Sequence, residues 1–378
     1  MFLEMHILQN FAPSNLNRDD TNAPKHADFG GVRRSRVSSQ AWKRAMRLDF
    51  AERGLLSAEQ RGIRTKRLLE TLTKRLAAAG HPEEEAEQVA RAAIIGLGLG
   101  FDRKRPEETQ YLVFLGEDEI ANVVAVCDAH WDELLALKPE KKGSKVSPEV
   151  ERALTGALDG GRSADVALFG RMLADAPKYN VDAAAQVAHA ISTHKVGTEF
   201  DFFTAMDDLK DRSEGDDMGA GMMGTVEFNS ACYYRYANVD LGQLTNNLQG
   251  DRELALAALE AFVRAFIDSI PSGKQNTFAA QSRPTLVLAE YRDGAPQSLA
   301  DAFAKPVGNG DTGILRGSVR ALDDRYERLA TMYGSGALGT WVATTEPEAL
   351  SALLVAAVPG VESLVREILA ASPYASAA

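Results

Sequence analysis

The chain opens on Phe2-Leu3-Glu4-Met5-His6-Ile7-Leu8-Gln9, where Leu3, Met5 and Ile7 alternate with Glu4 and His6, the two-residue period of a half-buried strand. From Asn10 to Ser38 that rhythm stops. Pro, Ser, Asn, Asp, Gly and Arg take over, with turn signals at Ala12-Pro13, Ala23-Pro24 and Gly30-Gly31, and a long loop is predicted. A helix follows, capped by Ser38 or Ser39 and ended by Gly54. On its wheel Gln40, Lys43, Arg44 and Arg47 form one stripe, and Ala41, Trp42, Ala45 and Leu48 lie opposite.

Ser57 to Ala93 has helical periodicity with a break at Gly80-His81-Pro82, and Tyr111 to Leu115 reads as a strand before a helix running through Trp131 to Leu137. Lys138 to Ser147 reads as a mobile linker, Pro148 to Leu158 as a short helix, and Asp165 to Phe169 as a strand returning to the core. The stretch has the character of an insertion. Val181 to Thr193 fits helix or strand, with strand preferred. Val226, Phe228, Ser230, Cys232, Tyr234 and Tyr236 then alternate with Glu227, Asn229, Ala231, Tyr233 and Arg235, a strong strand pattern, and Thr198 to Gly224 before it suits a protruding hairpin or loop. Leu254 to Ile270 is an amphipathic helix stopped by Pro271 and Gly273, Thr285 to Ala289 a strand, and helices are predicted near Arg316–Met332 and Glu346–Ala370. This order resembles an α+β, ferredoxin-like (RRM-type) arrangement carrying helical insertions.

Composition changes this picture little. At 378 residues, 45% hydrophobic and 25% charged, the chain can bury a real core. Met1 to Asn10 has no positive leader or cleavage site and no apolar run reaches membrane length, so a cytoplasmic protein without membrane contact is expected. Cys127 and Cys232 offer neither a disulfide framework nor zinc-ligand spacing. Charge does change the picture. The net charge of −11 excludes a uniformly positive coat, yet Arg33, Arg34, Arg36, Lys43, Arg44 and Arg47 fall in one stretch without an acidic residue.

That strip, with Ser38, Ser39 and Gln40 as further donors, suits phosphates, which guanidinium forks bind bidentately. Lys274-Gln275-Asn276-Thr277-Phe278 repeats the chemistry after a Pro-Ser-Gly turn, and the two loops could line one groove for single-stranded RNA. Other constellations are weaker. Gly219-Ala220-Gly221-Met222-Met223-Gly224 matches a dinucleotide fingerprint but follows acidic residues and precedes a strand, so its glycines are read as hairpin flexibility. Asp19, Asp20 and Asp28 could hold a metal for RNA cleavage, but a turn-forming role outweighs that. His189 and His194, five apart, are read as satisfied histidines rather than ligands. No metal or cofactor is expected.

Several blocks carry a family resemblance: Asn15-Leu16-Asn17-Arg18-Asp19-Asp20; Lys25; Phe29-Gly30-Gly31-Val32-Arg33-Arg34-Ser35-Arg36-Val37-Ser38-Ser39-Gln40; and Lys43-Arg44-Ala45-Met46-Arg47. They continue through Phe169-Gly170-Arg171-Met172, Ala188 to His194, Phe203 to Leu209 and Tyr234-Arg235-Tyr236-Ala237-Asn238. In this order they resemble the CasC subunit, the repeated backbone protein of the type I-E CRISPR Cascade. The resemblance implies a non-catalytic, hand-shaped subunit. Its RRM-like palm would comprise residues 1–56, 165–199 and 225–378, its helical fingers 57–164 and its thumb hairpin 200–224. Copies would assemble head to tail on CRISPR RNA (crRNA), which pairs with target DNA, together with large, small, cap and crRNA-processing endoribonuclease subunits. By motif, Arg18, Lys25, Ser38, Gln40, Lys43 and Arg47 would grip the RNA backbone and Met172 would wedge near a displaced base. Arg33, Arg44, Lys274, Gln275 and Asn276 complete the candidate RNA-binding set from the basic clusters. The rival readings are a metal-dependent RNA-cleaving relative of the same fold and a protein polymer without nucleic acid.

Overall fold

The computed structural model describes residues 1–137, 145–158, 162–173, 176–206, 220–310 and 312–375. In chain order the elements begin β1 (Phe2–Ser14), β2 (His26–Phe29), β3 (Val32–Val37), α1 (Ser39–Glu52), β4 (Gly62–Thr65), α2 (Leu68–Ala78) and α3 (Glu83–Gly96). They continue with β5 (Val113–Gly116), α4 (Glu117–Ala129), α5 (Trp131–Ala136), α6 (Pro148–Ala157), α7 (Ala164–Phe169), β6 (Ala185–Val187), β7 (Ala190–Ser192) and β8 (Glu199–Met206). The last are β9 (Ala220–Asp240), α8 (Leu241–Asn247), α9 (Arg252–Asp268), α10 (Gln275–Phe278), β10 (Leu286–Arg292), α11 (Gly313–Tyr333), β11 (Ala337–Thr344) and α12 (Val361–Ala370). The chain is thus α+β. It divides into two compact units, the first of Met1–Asp49, Val187–Asn238 and Phe262–Ser372, the second of Phe50–Gln186, Val239–Ala261 and Pro373–Ala378.

In the first unit the strands run β11-β10-β1-β9-β7-β3-β2, and β8 pairs antiparallel with β9. Taken along the chain, β1, α1, β7, β9, α9 and β10 follow a β-α-β-β-α-β course, laid out in the sheet as β10-β1-β9-β7. β1 is not half-buried as its alternation predicts, because both faces are covered. On one side Leu8, Tyr234, Tyr236, Leu286 and Leu288 join Val319, Leu322 and Leu329 of α11 in a buried cluster. The polar residues of that face are buried too: Tyr236 donates to Glu4 (2.5 Å), Arg292 donates to Glu4 (2.6 Å) and His6 Nδ1 meets the Tyr234 hydroxyl (2.9 Å). On the other side the Arg235 guanidinium lies 3.6 Å from the centre of the Trp42 ring of α1 and donates to Gln9 Oε1 (2.5 Å). Burial pulls the pKa of this arginine down to about 9.

The second unit is largely helical. Leu68, Leu69, Leu72 and Leu76 of α2 pack with Val89, Ala90, Ala93 and Ile94 of α3, Ile120 and Val123 of α4, and Val150 and Leu154 of α6. Arg171 and Glu119 form an ion pair at its centre, with side chains 1% and 0% exposed.

The structure corrects the predicted elements at five places. The loop from Asn10 is broken by the end of β1 and by the β2–β3 hairpin, whose strand β3 hides Arg34 and Ser35 behind polar contacts instead of apolar ones. Asp165 to Phe169 is helix α7, not strand. Its residues 164–168 are all buried, and a short apolar run looks alike in either state. Gly62 to Thr65 is strand β4, and β11 occupies Ala337–Thr344, where Ala, Gly and Thr gave no strand signal. The helix predicted from Glu346 is limited to α12, because Pro347 and Pro359-Gly360 interrupt it. Residues 138–144 of the predicted linker Lys138 to Ser147 and the tip of the predicted hairpin, including Asp207-Asp208-Leu209 and Gly219, lie outside the described residues.

Candidate nucleic-acid interface

The predicted RNA-binding residues of the first unit are held by a frame of Asn side chains and glycines. Asn15 Nδ2 donates to the carbonyls of Asn22 (3.0 Å) and Glu227 (2.9 Å), tying the loop after β1 to strand β9. Asn17 accepts from the Lys25 N–H at its carbonyl (3.0 Å) and from the Ser38 N–H at Oδ1 (2.9 Å). Arg18, Lys25 and Ser38, far apart in sequence, are therefore neighbours. Arg18 is exposed and Lys25 half-buried. Asp19 is a turn residue: its Oδ1 accepts from the Thr21 N–H (2.9 Å), the Thr21 hydroxyl (2.7 Å) and the Ala23 N–H (3.1 Å), bonds that hold its pKa below the usual carboxylate value.

The basic strip is not one face. On β3 alternate side chains point to opposite sides, so Arg33 is exposed beside His26 (2.9 Å) while Arg34 is fully buried. Arg34 donates to the carbonyls of Phe29 (3.2 Å), Ser192 (3.0 Å) and Phe303 (2.7 Å), a core role. Arg36 meets His189 Nδ1 (3.1 Å), which also accepts from the Ser39 N–H (3.2 Å) at the start of α1. Burial, then the charges of Arg36 and Lys25, lower the pKa of His189. His194 is likewise partnered, through Cys232 N–H (3.2 Å) and the Lys195 carbonyl (3.0 Å), as predicted for both histidines.

Ser38 is buried and its hydroxyl caps α1 by accepting from the Ala41 N–H (3.2 Å). Along α1 Gln40 and Arg44 are exposed, whereas Lys43 and Arg47 are half-buried, and burial lowers the pKa of Lys43. Of the stripe predicted to pack, Trp42 and Ala45 face inward together with Met46 and Ala41 is half-buried, but Leu48 is 39% exposed.

The second predicted loop lies beside the first. A Cβ on Gly273 would meet the Leu16 carbonyl oxygen at 2.3 Å, so backbone packs on backbone there. Lys274 follows with φ of 52° and is half-buried; Asn276 is exposed. Gln275 turns inward, donating to the Pro271 carbonyl (3.0 Å) and accepting from Gln281 (3.2 Å). Phe278 packs 5.7 Å from Phe228 of β9, and Phe228 is registered with Glu199 of β8. The loop after β1, α10 and the root of the β8–β9 hairpin thus share one corner.

The hairpin adds residues that sequence reasoning passed over: Phe200 and Phe202, 66% and 65% exposed, alternate along one face of β8, and Met223 of β9 is 66% exposed. Their signal was the spacing of two aromatics at i and i+2 in a strand with no apolar partner pattern. Met172 belongs to the second unit, where it is 83% exposed next to the buried Arg171. Among the described residues no group of three His, Cys, Asp or Glu side chains is placed to hold a metal ion, and no helix is long and apolar enough to cross a membrane.

Comparison with solved structures finds a chain of a "CRISPR RNA-guided surveillance complex, pre-nicking" with a TM-score of 0.86 and 34% identity, covering 98% of this chain and all of the other. A second, from a "CRISPR RNA-guided surveillance complex", gives a TM-score of 0.74 and 28% identity over 98% of this chain and all of the other. No curated protein sequence matches. The family model described as CT1975-like protein matches residues 3–368, and the chain belongs to that family.

Proposed function

We propose that this chain is a non-catalytic backbone subunit of a type I-E CRISPR Cascade complex, acting in the cytoplasm in antiviral defence. The observation that carries it is the convergence of Arg18, Lys25, the exposed face of α1 and the Lys274 loop at one corner of a chain similar throughout to surveillance-complex subunits. An RRM-like palm grips the crRNA backbone there, and β8–β9, the thumb, offers Phe200 and Phe202 for stacking. Arg33, Gln40, Lys43, Arg44, Arg47 and Asn276 contribute charge and amide donors along the track, and Met172 on the fingers separates bases. Protein holds backbone while base pairing reads the target DNA. Copies joined head to tail make an open filament, completed by the other Cascade subunits.

The metal-dependent cleavage reading loses support because Asp19 is committed to its turn. The test is charge reversal at Arg18 and Arg44, both exposed, so that the fold is spared. Co-expressed with a CRISPR array, Arg18→Glu/Arg44→Glu should fail to copurify with RNA at moderate salt. In the isolated variant, the slope of RNA affinity against salt should become shallower by roughly 0.7 for each phosphate it no longer engages. Undiminished RNA content would overturn the proposal.

A further inference from the structure

Residues 61–75 take no part in the interface above, yet they hold Arg61, Arg64, Lys66, Arg67, Lys74 and Arg75 against one carboxylate, Glu70, on a chain of net charge −11. The fold of the second unit pairs Lys66 with Asp102 (3.5 Å) and Arg75 with Glu117 and turns Arg64, Arg67 and Lys74 outward. Because α2 buries Leu68, Leu69, Leu72 and Leu76, Arg67 and Lys74 are left 67% and 73% exposed, and Arg64 of β4 is exposed as well. Thr65, Arg67, Glu70, Thr71, Lys74 and Arg75 line an open depression of about 350 Å³.

Residues 109–113 run alongside. Thr109 gives its N–H (2.8 Å) and its hydroxyl (3.1 Å) to the Lys66 carbonyl, and Val113 pairs with Thr65. Tyr111 and Leu112 are thereby laid beside the cations, 49% and 48% exposed. Glu70 marks how an anion sits here. One of its oxygens is 2.7 Å from Lys74 Nζ and the other 2.5 Å from Arg67 Nε, and the Lys74 contact, above the others, lowers its pKa. Exposed pairs of this kind are weak and screened by salt, so a polyanion can displace the carboxylate.

We propose that this face is a second nucleic-acid site, taking a single-stranded phosphodiester chain with its phosphates on Arg64, Arg67 and Lys74 and a base on Tyr111. Cations with an adjoining exposed aromatic are what a single strand requires. A duplex offers the same phosphates but no unstacked base, and an acidic peptide offers neither. The site shares no residue with the guide reading.

The experiment uses the full chain carrying Arg18→Glu/Arg44→Glu, so that failure of the first interface and failure of this one are distinguishable. Oligo(dT) and oligo(U) strands of about sixteen nucleotides, enough for one such groove, carry a central 5-iodo base for photocrosslinking. A crosslinked peptide containing Tyr111 is expected, with the tighter-binding sugar identifying DNA or RNA as the source. Arg67→Glu/Lys74→Glu should abolish the crosslink and weaken binding about tenfold or more, the counterion-release consequence of leaving two phosphates without a cation. Glu70→Gln, which removes the competing anion and keeps the side-chain shape, should strengthen binding about two- to fivefold with its thermal midpoint unchanged. Absence of the Tyr111 peptide, unchanged affinity in Glu70→Gln, or equal displacement by polyglutamate would each sink the proposal.

Discussion

Replacing Glu119 by Gln should cost the second unit a large share of its stability. Glu119 holds Arg171 through both oxygens (2.8 and 2.7 Å), and its Oε2 also accepts the Gly116 N–H (2.8 Å) at the start of α4. Both contacts to Arg171 are made by its Nη1, which also lies 3.2 Å from the Phe114 carbonyl, while Nε donates to the Tyr179 carbonyl (2.7 Å) and Nη2 is buried without a partner among the described residues. Both side chains are dry, so the guanidinium has no water to fall back on. A glutamine removes the charge and, whichever way its amide turns, presents an NH₂ group to the Arg171 donor, and in one orientation to the Gly116 N–H as well. Breaking one partner of such a pair costs about 3–5 kcal/mol, against about 5–15 kcal/mol for a whole fold. At roughly 2–4 °C per kcal/mol for a unit of this size, the second unit's transition should fall by about 6–20 °C. Calorimetry on the full chain resolves this better than a single-probe melt, because two units need not unfold together. Arg171→Met/Glu119→Leu should recover much of the stability, since an apolar pair carries no desolvation penalty. A destabilisation below about 1 kcal/mol in Glu119→Gln, or a double variant worse than the single one, would refute the reasoning.

The pH dependence of stability should carry a signature of His6, whose pKa burial, helped by Arg292, drives down to about 3. An unfolded histidine takes its proton near pH 6.5, so this contribution is complete above about pH 6.5 and is lost as pH falls towards 3, by about 2–3 kcal/mol at pH 4.5. Glu290 acts with the opposite sign because burial raises its pKa, so the comparison to make is wild type against His6→Gln in urea at pH 7 and 4.5, and equal pH slopes would exclude the effect. Phe200→Ala and Phe202→Ala should each weaken single-stranded RNA binding by about 1–3 kcal/mol while leaving the melting midpoint in place, as read by anisotropy; reduced stability with undiminished affinity would argue against stacking. Gly30→Ala should unseat the β2–β3 hairpin, because its Cβ would fall 1.6 Å from the Ala304 oxygen at a φ of +61°, and a fully stable variant would show that the hairpin can move.

Where local signals suffice, the elements were legible. α1 is announced by its Ser38 cap and its two stripes, β9 by alternation, and α9 by its period and by Pro271. Where a neighbour supplies the reason, they were not. β3 is polar because Arg34 finds carbonyls on other segments, and β11 exists because β10 lends it a hydrogen-bonding edge. The candidate site shows the same division. Arg18, Lys25 and the α1 cations stand out as residue types, while Asn17, His189 and Gly273, which bring them together, carry no mark of that role in the sequence.

By itself the amino-acid order determined the kind of chemistry available: cations concentrated on an acidic chain, and a run of blocks sufficient to recognise the family. That information is chemical and local, and needs no partner to be read. Which of those cations meet solvent was decided only by tertiary structure. Of two guanidinium groups on adjacent residues of one strand, Arg33 faces water and Arg34 closes a ring of carbonyls in the core, and only the surrounding sheet supplies the acceptors that offset the desolvation of the second.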